Sequence, residues 1–110
     1  MNPEDILLAF GFKLRRPYAG WFVAEPSVGS AYFRYTGRSK RELVEMIVPR
    51  PPAELSPETI MSWADECLIV AYGKPDPQAL AKAAFAAYGL SHNPEALNIF
   101  ADAVRTWKRE

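Results

Sequence analysis

The sequence predicts a mainly helical α+β domain, with a small three-stranded antiparallel sheet and about five helices ordered α-β-β-β-α and then α-α-α. Three observations lead there. First, proline-bearing helix starts recur at Asn2-Pro3-Glu4, Ser56-Pro57-Glu58, Asp76-Pro77-Gln78 and Asn93-Pro94-Glu95. Each joins a side-chain acceptor for the free first-turn amides to a ring whose fixed φ suits the first helical position. Second, Leu14, Trp21, Phe22, Val23, Tyr32, Phe33 and Tyr35 are β-favouring residues in short runs, broken by Pro17, Gly20, Pro26, Gly29 and Gly37. Third, Pro49, Pro51, Pro52 and Pro57 fall close together, where no helix interior is tolerated.

The first helix is expected over about 3–10, started by Asn2 and stopped by Gly11 in a left-handed cap. Strands follow at about 12–16, 20–25 and 31–36. The stretch from Glu25 to Ser30 is too long for a two-residue hairpin turn. Ser39 and Glu42 have the spacing of a capping box and open a second helix over about 40–48. The proline-rich connector spans 49–57 and has limited flexibility. Three helices then occupy about 57–72, 77–88 and 94–108, with Gly73 and Gly89 at C-terminal caps. The chain reads as a single domain over 1–110: an α/β half at 1–48, the connector, and a three-helix half at 58–110.

At 100° per residue, Ile60, Trp63, Ala64, Cys67, Leu68 and Ala71 form one stripe, widened by Met61, Val70 and Tyr72. The helix at 77–88 carries Ala79, Ala81, Ala83, Ala84, Ala86 and Ala87, which allow a neighbour to approach closely. In the last helix Leu97, Phe100, Ala101, Val104 and Trp107 form the main stripe. Ala96, Ile99 and Ala103 extend it past half the circumference. That helix is therefore buried on two sides or meets another chain, and Ile99 and Ala103 are its candidate partner contacts. Trp63, Cys67, Phe85, Phe100, Val104 and Trp107 are the expected core.

The chemistry is defined largely by exclusion. Cys67 is the only cysteine and His92 the only histidine, so neither an intrachain disulfide nor a histidine cluster for a metal is available. Cys67 sits mid-stripe, the place of an inert buried thiol. Glu58 and Asp65 share a helix face in the way solvated faces routinely do. No phosphate loop, dinucleotide fingerprint or nucleophile elbow occurs, so no catalytic group, cofactor or metal is expected. The N-terminus lacks the basic region of a signal peptide, and no apolar run is long enough to span a bilayer, so the expected location is cytoplasmic.

Thirteen basic and thirteen acidic residues cancel, yet between 13 and 41 there are seven basic residues against Glu25 alone. They interleave with Tyr18, Trp21, Phe22, Tyr32, Phe33 and Tyr35. Cations beside aromatic faces on a sheet suit phosphate contact with base stacking; Trp, Tyr and Arg also dominate protein interfaces. The candidate binding residues are Arg15, Arg16, Tyr32, Arg34, Arg38, Lys40 and Arg41. The order α-β-β-β-α, with Gly37-Arg38-Ser39-Lys40-Arg41 opening the second helix, loosely resembles double-stranded-RNA-binding domains over about 45 residues. That resemblance implies phosphate contacts from the helix start. Glu42, Glu45 and Met46 stand where the family carries alanines, so membership is not implied.

Three functions remain, the least favoured being an enzyme of unfamiliar type, for which no recognisable catalytic constellation is present. One is a non-catalytic binding protein acting through protein–protein contacts: a small regulator, adaptor or inhibitor of the kind mobile elements encode to occlude a larger enzyme. The alternative is a nucleic-acid-binding protein using the basic-aromatic region 13–41. A protein partner is favoured by the zero net charge, since nucleic-acid binders are typically basic. Monomer and homodimer both fit.

Overall fold

The computed structural model describes residues 1–28 and 33–107. Its elements run α1 (Pro3–Ala9), β1 (Phe12–Tyr18), β2 (Trp21–Pro26), β3 (Tyr35–Gly37), α2 (Lys40–Ile47), α3 (Pro57–Val70), α4 (Pro77–Ala87) and α5 (Pro94–Thr106). This is the α+β class and the order that the sequence predicts.

Each helix begins where a side chain satisfies its first amides. Asn2 accepts from the amide of Asp5, Ser39 from Glu42, Asp76 from Ala79, and Asn93 from Glu95 and Ala96. The expected box at Ser39 and Glu42 closes one residue early: the Glu42 carboxylate accepts from the Arg38 amide at 3.0 Å. The reciprocal box occurs at α3 instead, between Ser56 and Thr59. Gly11 and Gly89 directly follow the C-caps of α1 and α4 with φ of 86° and 66°, the left-handed caps expected; Gly73 also has a positive φ, 82°, but it lies two residues beyond Ala71, the extended C-cap of α3, and so does not cap that helix as expected.

The sheet has the order β1-β2-β3 and is antiparallel throughout. Lys13 pairs with Glu25, Leu14 with Ala24 and Arg15 with Val23, before the register shifts between Arg15 and Tyr18. Pro17 lies inside that irregularity, where a residue without an amide hydrogen is tolerated. The third strand departs from expectation. Among the described residues it covers Tyr35–Gly37, without Phe33 and Arg34 of the expected 31–36, whose first two positions lie outside the described residues; it pairs Ala24 with Tyr35 and Phe22 with Gly37. Gly37 extends the strand where a break was expected, through its pairing with Phe22, and α2 packs beside it: a Cβ there would lie 3.4 Å from Leu43 and Glu42 side-chain atoms. Phe33 packs edge-on against Phe12, Tyr35 and Tyr72, with centroids 6.3, 6.2 and 5.9 Å apart.

One contiguous core joins both halves of the chain. Phe10, Phe12, Leu43 and Ile47 from the first half cluster with Trp63, Leu80, Phe85 and Phe100 from the second. The three large rings Trp63, Phe85 and Phe100 lie 5.4 to 6.1 Å from one another. Five of the six expected core residues are buried. Trp107 is only half-buried, because α5 ends at Thr106 and Trp107 takes an extended conformation that leaves the helical stripe. Met61 is likewise exposed rather than part of the stripe of α3. The wide apolar face of α5 packs on both α3 and α4. Among the described residues no helix is long and apolar enough to cross a membrane.

Candidate functional site

Strand alternation sorts the predicted binding residues onto different surfaces. Phe12, Leu14, Phe22, Ala24 and Tyr35 share the face that joins the core. Lys13, Arg15, Trp21, Val23, Glu25 and Thr36 occupy the opposite face, and none of them belongs to the core cluster. Val23 is nevertheless buried, at 6% exposure.

On the outer face the cations gather around one acid. Glu25 accepts from Arg15 at 3.3 Å, and the Lys13 ammonium lies 3.6 Å away. Partial burial pushes the Glu25 carboxyl up, but Arg15, Lys13 and the nearby charge of Arg34 together hold it below the ordinary glutamate value. The Arg38 guanidinium sits over Trp21, its central carbon 4.1 Å from the ring centroid. That geometry favours the cation electrostatically and covers one side of the indole. Among the described residues, neither Arg34 nor Arg38 has a carboxylate within ion-pair distance. Three of the seven candidates, Arg15, Arg34 and Arg38, thus share one surface with Lys13 and Trp21.

The remaining candidates lie elsewhere. Arg16 and Lys40 flank the half-buried Phe22, with charged atoms 5.3 and 5.9 Å from its centroid. Together with Leu14 and Arg15 they line a shallow pocket of about 340 Å³. Lys40 is also tied to Glu4 of α1, and the hydrogen bond it donates holds the Glu4 carboxyl below its ordinary value. Arg41 turns away from the sheet, pairing with Glu45 at 3.2 Å and lying over Tyr88. Tyr32 lies outside the described residues. Ala103 is buried and Ile99 half-buried, beside Leu55, Pro57 and Ile60, so this part of α5 is largely used within the chain.

Lys13, Trp21 and Glu25 were not among the candidates of the sequence. The period-two pattern Trp21-Val23-Glu25 against Lys13-Arg15 carries that signal, once the register between the strands is known. His92 is exposed, and burial pushes the Cys67 thiol far above its ordinary value, away from the nucleophilic thiolate. The described residues contain no group of three or more His, Cys, Asp or Glu side chains suited to a metal ion. The outer face can therefore bind anionic groups and present Trp and Arg side chains. No family model matches the chain, nor does any curated protein or solved structure.

Proposed function

We propose that this protein is a small non-catalytic binding module that recognises an acidic surface on a protein partner, as a regulator, adaptor or inhibitor would. The observation that carries this reading is the outer sheet face, where Lys13, Arg15, Arg34 and Arg38 surround Glu25 and Trp21 away from the core. Trp and Arg contribute most to interface energy, and a cationic patch steers an acidic partner into register. A nucleic acid is the less supported ligand. Base stacking needs a free aromatic plane, whereas Arg38 covers Trp21, and Arg16 and Lys40 crowd Phe22.

The test compares the wild type with a triple charge reversal, Arg15→Glu, Arg34→Glu and Arg38→Glu, and with Ile69→Glu on the exposed side of α3. Circular dichroism checks folding first. Affinity capture from nuclease-treated extract should yield a partner with wild type and Ile69→Glu but not with the triple variant. Equal capture by the triple variant overturns the reading. Micromolar binding of labelled oligonucleotides that collapses with salt and with the triple variant would replace it by the nucleic-acid reading.

A further inference from the structure

We infer that the free edge of β1 accepts an extended segment of the partner as a fourth, antiparallel strand, one that alternates acidic and apolar residues. The inference rests on the proposed acidic protein partner and specifies how its chain is held. β1 lies at the edge of the sheet, since the order is β1-β2-β3. Which of its backbone groups face outward follows from one hydrogen bond. The Ser27 amide donates to the Gly11 carbonyl at 2.9 Å, so Gly11 directs its carbonyl toward β2. By alternation Lys13 and Arg15 do the same, and Phe12, Leu14 and Arg16 turn their amides and carbonyls away from β2. Pro26 opposes Phe12 in this register, a position where the pairing asks no amide hydrogen of it.

The outward side is already used at one end. The Tyr72 amide donates to the Phe10 carbonyl at 2.9 Å, placing a first strand-like contact on that edge. Beyond it, the outward groups of Leu14 and Arg16 have no such hydrogen-bond partner among the described residues. The register shifts between Arg15 and Tyr18, so Arg16 is the last position the alternation reaches, and Pro17 ends the usable edge.

Side-chain chemistry then dictates the segment. Partner residues opposite Lys13 and Arg15 project onto the outer face, where carboxylates meet two cations that now share Glu25 alone. Residues opposite Leu14 and Arg16 project onto the other face, beside the pocket where Leu14 and Phe22 lie among Arg15, Arg16 and Lys40; an apolar side chain there would pack on Leu14, Phe22 and the aliphatic stems of those cations. Charged residues and proline on such an edge discourage pairing with another copy of the same cationic strand, while leaving it open to an acidic one.

The antiparallel arrangement makes a prediction that a facial contact does not. In that geometry the apolar residues of the segment exchange hydrogen bonds with Leu14 and Arg16, and the amides of its acidic residues point outward. The experiment titrates the full chain with a peptide of roughly eight residues alternating Glu and Val, and with two N-methylated forms of it. Methylation of the Val amides should weaken binding about tenfold or more, whereas methylation of the Glu amides should be tolerated. Amide hydrogen exchange at Leu14 and Arg16 should slow on binding, while Lys13 and Arg15, already paired with β2, should change little. Equal binding of all three peptides without that protection overturns the added strand but leaves an acidic partner on the outer face. Absence of binding by the parent peptide, even at low salt, overturns the inference, and the charge-reversal capture then decides separately whether the wider reading stands.

Discussion

The carbonyl oxygen of Tyr72 lies 1.9 Å from the position that a Cβ on Gly11 would occupy. The two backbones touch because the turn from α1 into β1 and the connection from α3 to α4 are laced together. Phe10 accepts from the Tyr72 amide, while Gly11 accepts from both the amide and the hydroxyl of Ser27, each at 2.9 Å. Gly11 also holds a φ of 86°, which L side chains rarely adopt. The edge of the sheet is thereby fixed to the three-helix half of the chain.

Gly11→Ala should consequently destabilise the protein by about 3 kcal/mol or more, since left-handed strain and a backbone collision add. Gly20→Ala is the matched comparison. Gly20 has a φ of 80° but nothing within 4 Å of its added Cβ. Only the conformational cost remains there, about 1 kcal/mol. Urea unfolding of the two variants should separate them clearly, and equal costs would show that the Tyr72 contact yields without resistance.

A second joint lies where the proline-rich connector leaves α2. The Tyr88 hydroxyl donates to the Val48 carbonyl, and the Trp63 indole donates to the Pro49 carbonyl at 3.0 Å. Two core helices thus hold adjacent peptide units that no regular ladder satisfies. Trp63→Phe removes the donor and ring volume at a fully buried site and should cost about 2–4 kcal/mol. Tyr88→Phe removes only a hydroxyl and should cost about 1 kcal/mol. Because the accepting carbonyls are neighbours, the double variant should depart from additivity by about 0.5 kcal/mol or more in a thermodynamic cycle. Strict additivity would mean that each carbonyl is anchored independently.

Helix starts were legible in the sequence because they are local events. Asn2, Ser39, Ser56, Asp76 and Asn93 each act within four residues, and all five cap the helices they announce. The buried stripe of α3 was legible for the same reason: Ile60, Trp63, Ala64, Cys67, Leu68 and Ala71 repeat at helical spacing on one element. The end of the third strand was not, because Gly37, a local break signal, becomes strand through its pairing with Phe22 on the neighbouring strand. The candidate site was legible only as a composition. Seven cations within a short stretch were visible, but strand register separates Arg15, Arg34 and Arg38 from Arg16 and Lys40. Helix orientation then turns Arg41 toward Glu45 and Tyr88. The central acid, Glu25, was counted only as a charge, since nothing local shows that three cations converge on it.

Glu25 and Glu4 also set how the protein responds to acid. Both carboxyls are held below the ordinary glutamate value, Glu4 chiefly by the hydrogen bond from Lys40 and Glu25 by Arg15, Lys13 and Arg34 against its partial burial. A carboxyl with a lower pKa folded than unfolded binds fewer protons in the native state, so its contribution is complete above the unfolded value. It is lost as pH falls through the ordinary glutamate range and then through the lower folded value. The melting temperature should accordingly hold steady near neutrality and fall on acidification, part of that fall coming from these two groups. Glu4→Gln unlinks α1 from α2, and Glu25→Gln releases the outer-face cations; each variant should melt lower near neutrality and lose less on acidification. High salt should shrink both differences, because these ion pairs are at least partly exposed. An unchanged acid slope in the double variant would assign acid sensitivity to other carboxylates and reduce Glu25 to a spectator among its cations.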